Sequence, residues 1–450
     1  FLFYLIQTIL EKLFKQSLPA PFTIAVILTF ITFSLALLIT NSDNQSSNFI
    51  NILTYWEKGI WNPDLLVFAM QMMLMLVLGH TLALTKPIHY LITKATLQCT
   101  NTPKAAAIVT FFTIIVSLFN WGLGLIFGAI FARKVGEHFS KEGKIINYPL
   151  IGAAGYSGLM VWHGGISGSA PIKIAEAGHF LENKIGVISQ GETIFSLMNI
   201  SVSLCLIIIL PILMYWIGKI NPGKIIKLKL KDESRTLKIE GAEHLDHSKI
   251  LAYLFGGMII SISIYNFIFQ SNYMSFSFLT PNYINLLLLG LTIIMHKSFY
   301  NFLNAVDKAI SGASGILIQF PIYFGIMGIM NHSGMVDIMS ELFVSISNKT
   351  TLPVFTFISG AIVNIFVPSG GGQWAVQGPI IVEAAIKLGV EIPKNIMALA
   401  YGDQLTNMLQ PFWALPLLGI TKLKAREIIP YTLVIMCAGI IIFVSALIIF

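Results

Sequence analysis

Runs of about twenty apolar residues, separated by short polar stretches, set the pattern of this chain. A helix needs about twenty apolar residues to cross a bilayer. Runs of that kind lie at 22–40, 64–84, 196–218, 251–269, 282–297, 313–332, 396–419 and 430–449. A further run, 148–175, is long enough to cross but is interrupted at Trp162-His163-Gly164-Gly165-Ile166-Ser167-Gly168-Ser169. Two others, about 105–132 and 352–385, carry polar, glycine-rich centres. The first is too short for two crossings. As a single crossing it would put Arg133, Lys134, Lys141 and Lys144 outside, against the preference of lysine and arginine for the inner face. Both runs are therefore expected to be re-entrant hairpins.

The order of these runs predicts an all-α polytopic membrane protein of about nine spanning helices and two hairpins. Residues 1–18, with Glu11, Lys12 and Lys15 among apolar residues, are expected as an interfacial helix. A first repeat spans 19–218, a charged cytoplasmic linker 219–250, a connecting span 251–270 and a second repeat 281–450. Residues 41–60 are expected as an external loop, and the stretch near 297–308 as an internal one. The halves overlay at Asn120 and Asn364, Tyr156 and Tyr401, Pro171 and Pro416, and Gln71 and Gln319. The connecting span turns the second half over relative to the first. Inverted repeats with broken helices at mid-membrane are the build of secondary transporters.

Composition narrows the class. Of the 450 residues 55% are hydrophobic and 11% charged, against about 25% charged in soluble domains. No polar stretch is long enough for a soluble domain. The net charge of +7 sits mostly on loop lysines and suits an inner leaflet, not nucleic acid. Cys99, Cys205 and Cys437 have neither metal nor redox spacing. Neither an ATP-binding loop nor a dinucleotide fingerprint is present, so the expectation is a protein that is not an enzyme and has no organic cofactor.

The breaks carry the candidate chemistry. Pro368-Ser369-Gly370-Gly371-Gly372 interrupts apolar helical sequence, with Asn364 before it and Gln373 and Gln377 after it. Such an interruption frees backbone N–H and C=O groups to hold ions; a glycine-packed helix crossing is the other reading. Asn120, Gly122, Gly124, Ser167, Ser169, Asn364, Ser369, Gly370, Gly371, Gly372, Gln373 and Gln377 are the candidates for substrate binding. Their amides, hydroxyls and freed N–H groups suit a small monoanion. Asp403 lies inside a spanning segment, where a carboxylate is costly unless paired, protonated or holding a cation. It is either a coupling-ion residue, with Gln404, Asn407 and Gln410 beside it, or a hydrogen-bond hub. Na+ or H+ is the expected ion. Trp121 and His163 are accessory candidates.

These residues also carry a family resemblance. Phe119-Asn120-Trp121-Gly122-Leu123-Gly124, Gly165-Ile166-Ser167-Gly168-Ser169, the run Val367–Pro379, Ala400-Tyr401-Gly402-Asp403-Gln404 and Gln410–Pro416 together resemble the short-chain fatty acid transporter family, within a wider ion-transporter group. The resemblance implies a bacterial inner-membrane permease for acids such as butyrate or acetoacetate. It also implies homodimers embedded in lipid and an elevator-like motion. Two positions depart from the family pattern: His163 stands where glycine is expected, and Asp403 where glutamate is frequent. Another carboxylate, an amino acid or a peptide as substrate, and a channel, remain as alternatives.

Overall fold

A computed structural model describes residues 21–39, 45–228, 241–270, 276, 278–367 and 369–450. The interfacial helix expected at 1–18, Pro368 and residues 229–240 of the linker lie outside these.

Short polar residues followed by proline start many of the helices. Asn62 accepts the Leu65 N–H (3.1 Å) to open Pro63–Ala83, Asn101 opens Thr102–Phe119, Asn147 opens Tyr148–Tyr156 and Thr280 opens Pro281–His296. In each case the side chain satisfies an orphan N–H, and the proline has no N–H to lose. Among the described residues seven helices are long and apolar enough to cross a membrane: Phe22–Ile39, Pro63–Ala83, Thr102–Phe119, Leu197–Ile220, Lys249–Phe269, Phe299–His332 and Ala425–Ile449. The only sheet among them is a ribbon in which Ile145–Ile146 runs antiparallel to Lys224–Ile225, pinning the start of the linker.

The helices divide by what surrounds them. Leu197–Ile220 and Lys249–Tyr265 present exposed apolar residues such as Ile208, Ile212, Leu254 and Met258, which suit lipid. Trp121–Glu142, Gly370–Leu388 and Ile392–Thr406 are buried on most sides. Glycine allows the close approach this requires. A Cβ on Gly402 would come within 2.9 Å of the Ala361 backbone, so Ile392–Thr406 packs backbone to backbone on Leu352–Phe366.

Several expectations need correction. Residues 41–60 are not simply an external loop: Gln45–Ile60 is a helix, and its Gly59 packs on Gly325 and Gly328 of Ser314–His332. The stretch near 297–308 is the helix Phe299–Ile310. Both are amphipathic. A helix with one polar face has too few apolar residues to register as a crossing. The run at 105–132 proves longer, as two packed helices, Thr102–Phe119 and Trp121–Glu142, joined at Asn120. Charged residues continue the second one, with Arg133 and Glu137 paired at 2.7 Å one turn apart.

Candidate functional site

Two helix starts and two helix breaks meet in the interior. Asn120 has extended backbone and accepts the Leu123 N–H (2.7 Å), opening Trp121–Glu142. Ser369 does the same for Gly372 (3.2 Å), opening Gly370–Leu388. The first broken segment leaves α-helix at Tyr156, passes through short 3₁₀ turns, and resumes at Ser169–Lys173. The second leaves it at Thr406 and resumes at Pro411–Thr421.

A narrow cavity of about 20 Å³, room for little more than a water molecule, lies where the four meet. Trp121, Trp162, Ser169, Ser369, Gly370, Gly371, Asn407 and Trp413 are among its walls, with Met72 and Phe320 closing one side. Trp121 packs against both Trp162 (ring centroids 5.7 Å apart) and Trp413 (5.4 Å). The indole N–H groups of Trp121 and Trp162 have no partner.

Asp403 and His163 stand beside this cavity, both about 1% exposed. His163 Nδ1 lies 2.6 Å from Asp403 Oδ2. The other ring nitrogen, Nε2, accepts the Ala170 N–H at 3.1 Å. A neutral imidazole has one donor and one acceptor nitrogen, so the ring proton sits on Nδ1 and is donated to Asp403. Gln404 Oε1 accepts the His163 backbone N–H (3.0 Å). Gly370 packs on the pair: a Cβ there would come within 2.6 Å of Trp162 and 2.9 Å of Asp403 Oδ2. The positive end of a helix thus abuts a buried carboxylate.

Asp403 Oδ1 has no hydrogen-bond partner, and neither do Asn364 Oδ1 and Gln410 Oε1. These residues are joined to one another. Asn364 Nδ2 donates to Asp403 O (2.5 Å), to Thr406 Oγ1 (3.0 Å) and to Asn407 Oδ1 (3.0 Å), and Gln410 Nε2 donates to Asn364 O. Bare buried oxygens are costly, which makes these three candidate ligands for a cation.

The remaining candidates sit elsewhere in this framework. Ser167 accepts the Trp121 N–H (3.0 Å), tying the first break to the first helix start. Gly122 and Gly124 serve close packing, on Leu76 and Ser117. Gly372 packs on Tyr323. Gln373 and Gln377 do not line the cavity: Gln373 bonds Gly360 O (2.8 Å) and Gln377 (2.7 Å), and Gln377 bonds Ser359 (2.9 Å). The tyrosines cross between halves. Tyr156 donates to Asn407 O (2.9 Å), and Tyr401 to Asn199 (2.9 Å), which holds Gly164 O (2.8 Å). Among the described residues no group of three or more His, Cys, Asp or Glu is placed to hold a metal.

Sequence reasoning gave no site role to Met72 and Phe320, which read as ordinary apolar residues, or to Trp162 and Trp413, which entered only as parts of a break and a motif. It also missed Lys173, buried near the end of the first broken segment. The signal for Lys173 was present, since a lysine ends an otherwise apolar run.

A helical, multi-pass membrane protein whose broken helices converge on an interior cavity has the build of secondary transporters. The chain belongs to the short-chain fatty acid transporter family, whose model it matches over residues 3–450. It is 36% identical to an Escherichia coli K12 protein named as a candidate short-chain fatty acid transporter, with 99% of each chain covered. A Haemophilus influenzae protein of the same name is also 36% identical, over 93% of each. The fold is similar to that of Neisseria gonorrhoeae MtrF, described as one of a class of antimetabolite efflux pumps (TM-score 0.59, 13% identity, 99% of this chain and 97% of that one). It is similar too to the Alcanivorax borkumensis YdaH transporter (TM-score 0.53, 10% identity, 95% and 98%). The protein is thus a multi-pass transporter of the inner membrane.

Proposed function

We propose that the protein is a secondary carrier for small monocarboxylates such as butyrate or acetoacetate, moving each acid with a cation by alternating access. The observation that carries this reading is the buried, jointly bonded set of Asp403, Asn364 and Gln410, each with a bare oxygen, beside a cavity walled by Trp121 and Trp162, whose indole N–H groups have no partner. The indoles, with Ser169 and the Gly370 helix start, offer donors to a carboxylate. The oxygens offer ligands to a cation.

A monoanion moving inward alone works against an inside-negative potential, at about 2.3 kcal/mol per charge for each 100 mV. A co-transported cation cancels that. The bare amide oxygens favour Na+: a proton on Asp403 Oδ1 leaves those of Asn364 and Gln410 unsatisfied, whereas Na+ is held by neutral oxygens at broken helices. His163 then acts on Asp403 by position, through a fixed tautomer. Inverted repeats, a homodimer and an elevator-like motion belong to the same reading.

The test is uptake of labelled butyrate into proteoliposomes, with Na+ varied at fixed pH and pH varied without Na+. The expected result is saturable uptake that depends on Na+ and is competed by acetoacetate. Uptake that follows the proton gradient alone moves the coupling to H+. If neither acid enters nor competes, the substrate class is wrong. Single-channel current without saturation makes the protein a channel.

A further inference from the structure

The buried Lys173 has no part in that cavity, yet it is the only buried lysine or arginine among the described residues (2% exposed). Its Nζ donates to Glu176 Oε2 at 2.7 Å and to Gln71 Oε1 at 3.3 Å, and stands 5.6 Å over the Phe68 ring. Glu176 accepts further bonds on its other oxygen, from Gln71 Nε2 (2.8 Å) and Asn282 Nδ2 (3.0 Å). An ammonium and two carboxamides, on three separate segments, thus converge on one carboxylate. That donor set matches the needs of a free monocarboxylate: one positive charge and N–H donors on both oxygens.

Two features single this nest out from an ordinary ion pair. Glu176 lies just past the Ser169–Lys173 helix and two residues before Gly178, which has φ +80°. Its side chain is 13% exposed, so a few backbone and side-chain rotations release it. The nest also adjoins the cavity. Ser169, one helical turn before Lys173, lines it. Phe68, beneath Lys173, packs on Gly371, another of its walls, where a Cβ would come within 3.1 Å of the ring. One aromatic side chain separates the two.

We propose that Lys173, Gln71 and Asn282 form an outer subsite for the carboxylate of the transported acid, closed in this conformation by Glu176, which the substrate displaces. This rests on the monocarboxylate reading above. Exchanging one carboxylate for another keeps Lys173 paired throughout, so the buried ammonium is never left without a counter-charge. A neutral solute cannot make that exchange.

The test uses the purified full-length protein. In Glu176→Ala the nest stands open. Sodium butyrate is expected to raise its unfolding midpoint by about 3 °C more than it raises that of the unaltered protein. Sodium chloride at equal ionic strength should not. Adding Lys173→Gln to Glu176→Ala should remove the gain. In proteoliposomes Lys173→Gln should raise KM for butyrate about tenfold, and Lys173→Arg should restore most of it. Where Lys173→Gln alone fails to fold, the charge-balanced pair Lys173→Gln with Glu176→Gln gives the same readout. Equal stabilisation of Glu176→Ala by butyrate and chloride, or an unchanged KM in these lysine variants, overturns the proposal. If the unaltered protein moves no short-chain acid, the transport reading fails, and the binding measurement on Glu176→Ala still decides the nest separately.

Discussion

Around the Asn120 helix start and the 157–169 break, the atoms left without partners at the cavity are donors, the indole N–H groups of Trp121 and Trp162. Around Ser369 and the 403–410 break, the carbonyl and carboxylate oxygens of Asp403, Gln410 and the nearby Asn364 are bare, beside one bare donor, Trp374 Nε1. The plan is the same in both places: a capped helix start, a helix interrupted by short 3₁₀ turns, and a tyrosine reaching across to the other half. The balance of unsatisfied chemistry differs: indole donors line up with the first frame, amide and carboxylate oxygens with the second. Two similar frames can thus offer one anion site and one cation site. The link between them is His163, which belongs to the first break by sequence and to Asp403 by contact.

The largest expected effect tests the oxygen side. Asp403→Asn keeps shape and removes charge; butyrate uptake should fall about 100-fold or more, with loss of cation dependence, while the protein still reaches the membrane. Unchanged uptake makes Asp403 a structural hub. Next is the contact between the sides. Gly370→Ala places a methyl against Trp162 and Asp403, and overpacking of about 1–3 kcal/mol at such a site should lower uptake some tens-fold. The donor side should give less. Trp121→Phe and Trp162→Phe each remove one donor proposed to meet the bound carboxylate, worth about 1 kcal/mol, so KM should rise about fivefold with cation dependence intact. A shift in cation dependence instead would dissolve the division into donor and acceptor halves. The smallest effect tests the symmetry itself. Cysteines at Lys134 and Lys387, in a background lacking Cys99, Cys205 and Cys437, should leave uptake within about twofold, since both side chains reach solvent and lie away from the cavity. They should react from inside and outside respectively. Reaction of both from one side ends the inverted-repeat reading.

Strong local signals were the ones that could be read in the chain. Most of the long apolar helices and both interruptions follow from hydropathy, proline and glycine. Weak local signals misled. Gln45–Ile60 and Phe299–Ile310 looked like loops because half of each helix surface is polar. Gln373 and Gln377 follow a break, and helical spacing turns their amide nitrogens toward Gly360 and Ser359 respectively.

By itself the sequence determined the class of protein: apolar runs of spanning length, too few charges for a soluble core, and an acid at Asp403 that hydrocarbon does not tolerate alone. Only the tertiary structure decided which polar groups satisfy one another and which stay bare. His163 and Asp403 are 240 residues apart, and Gln71 and Glu176 are 105 apart. The physical reason is one of range. Helix formation and membrane insertion depend on neighbours within a turn or a run. A hydrogen bond depends on atoms within about 3 Å, and packing brings those together from anywhere in the chain.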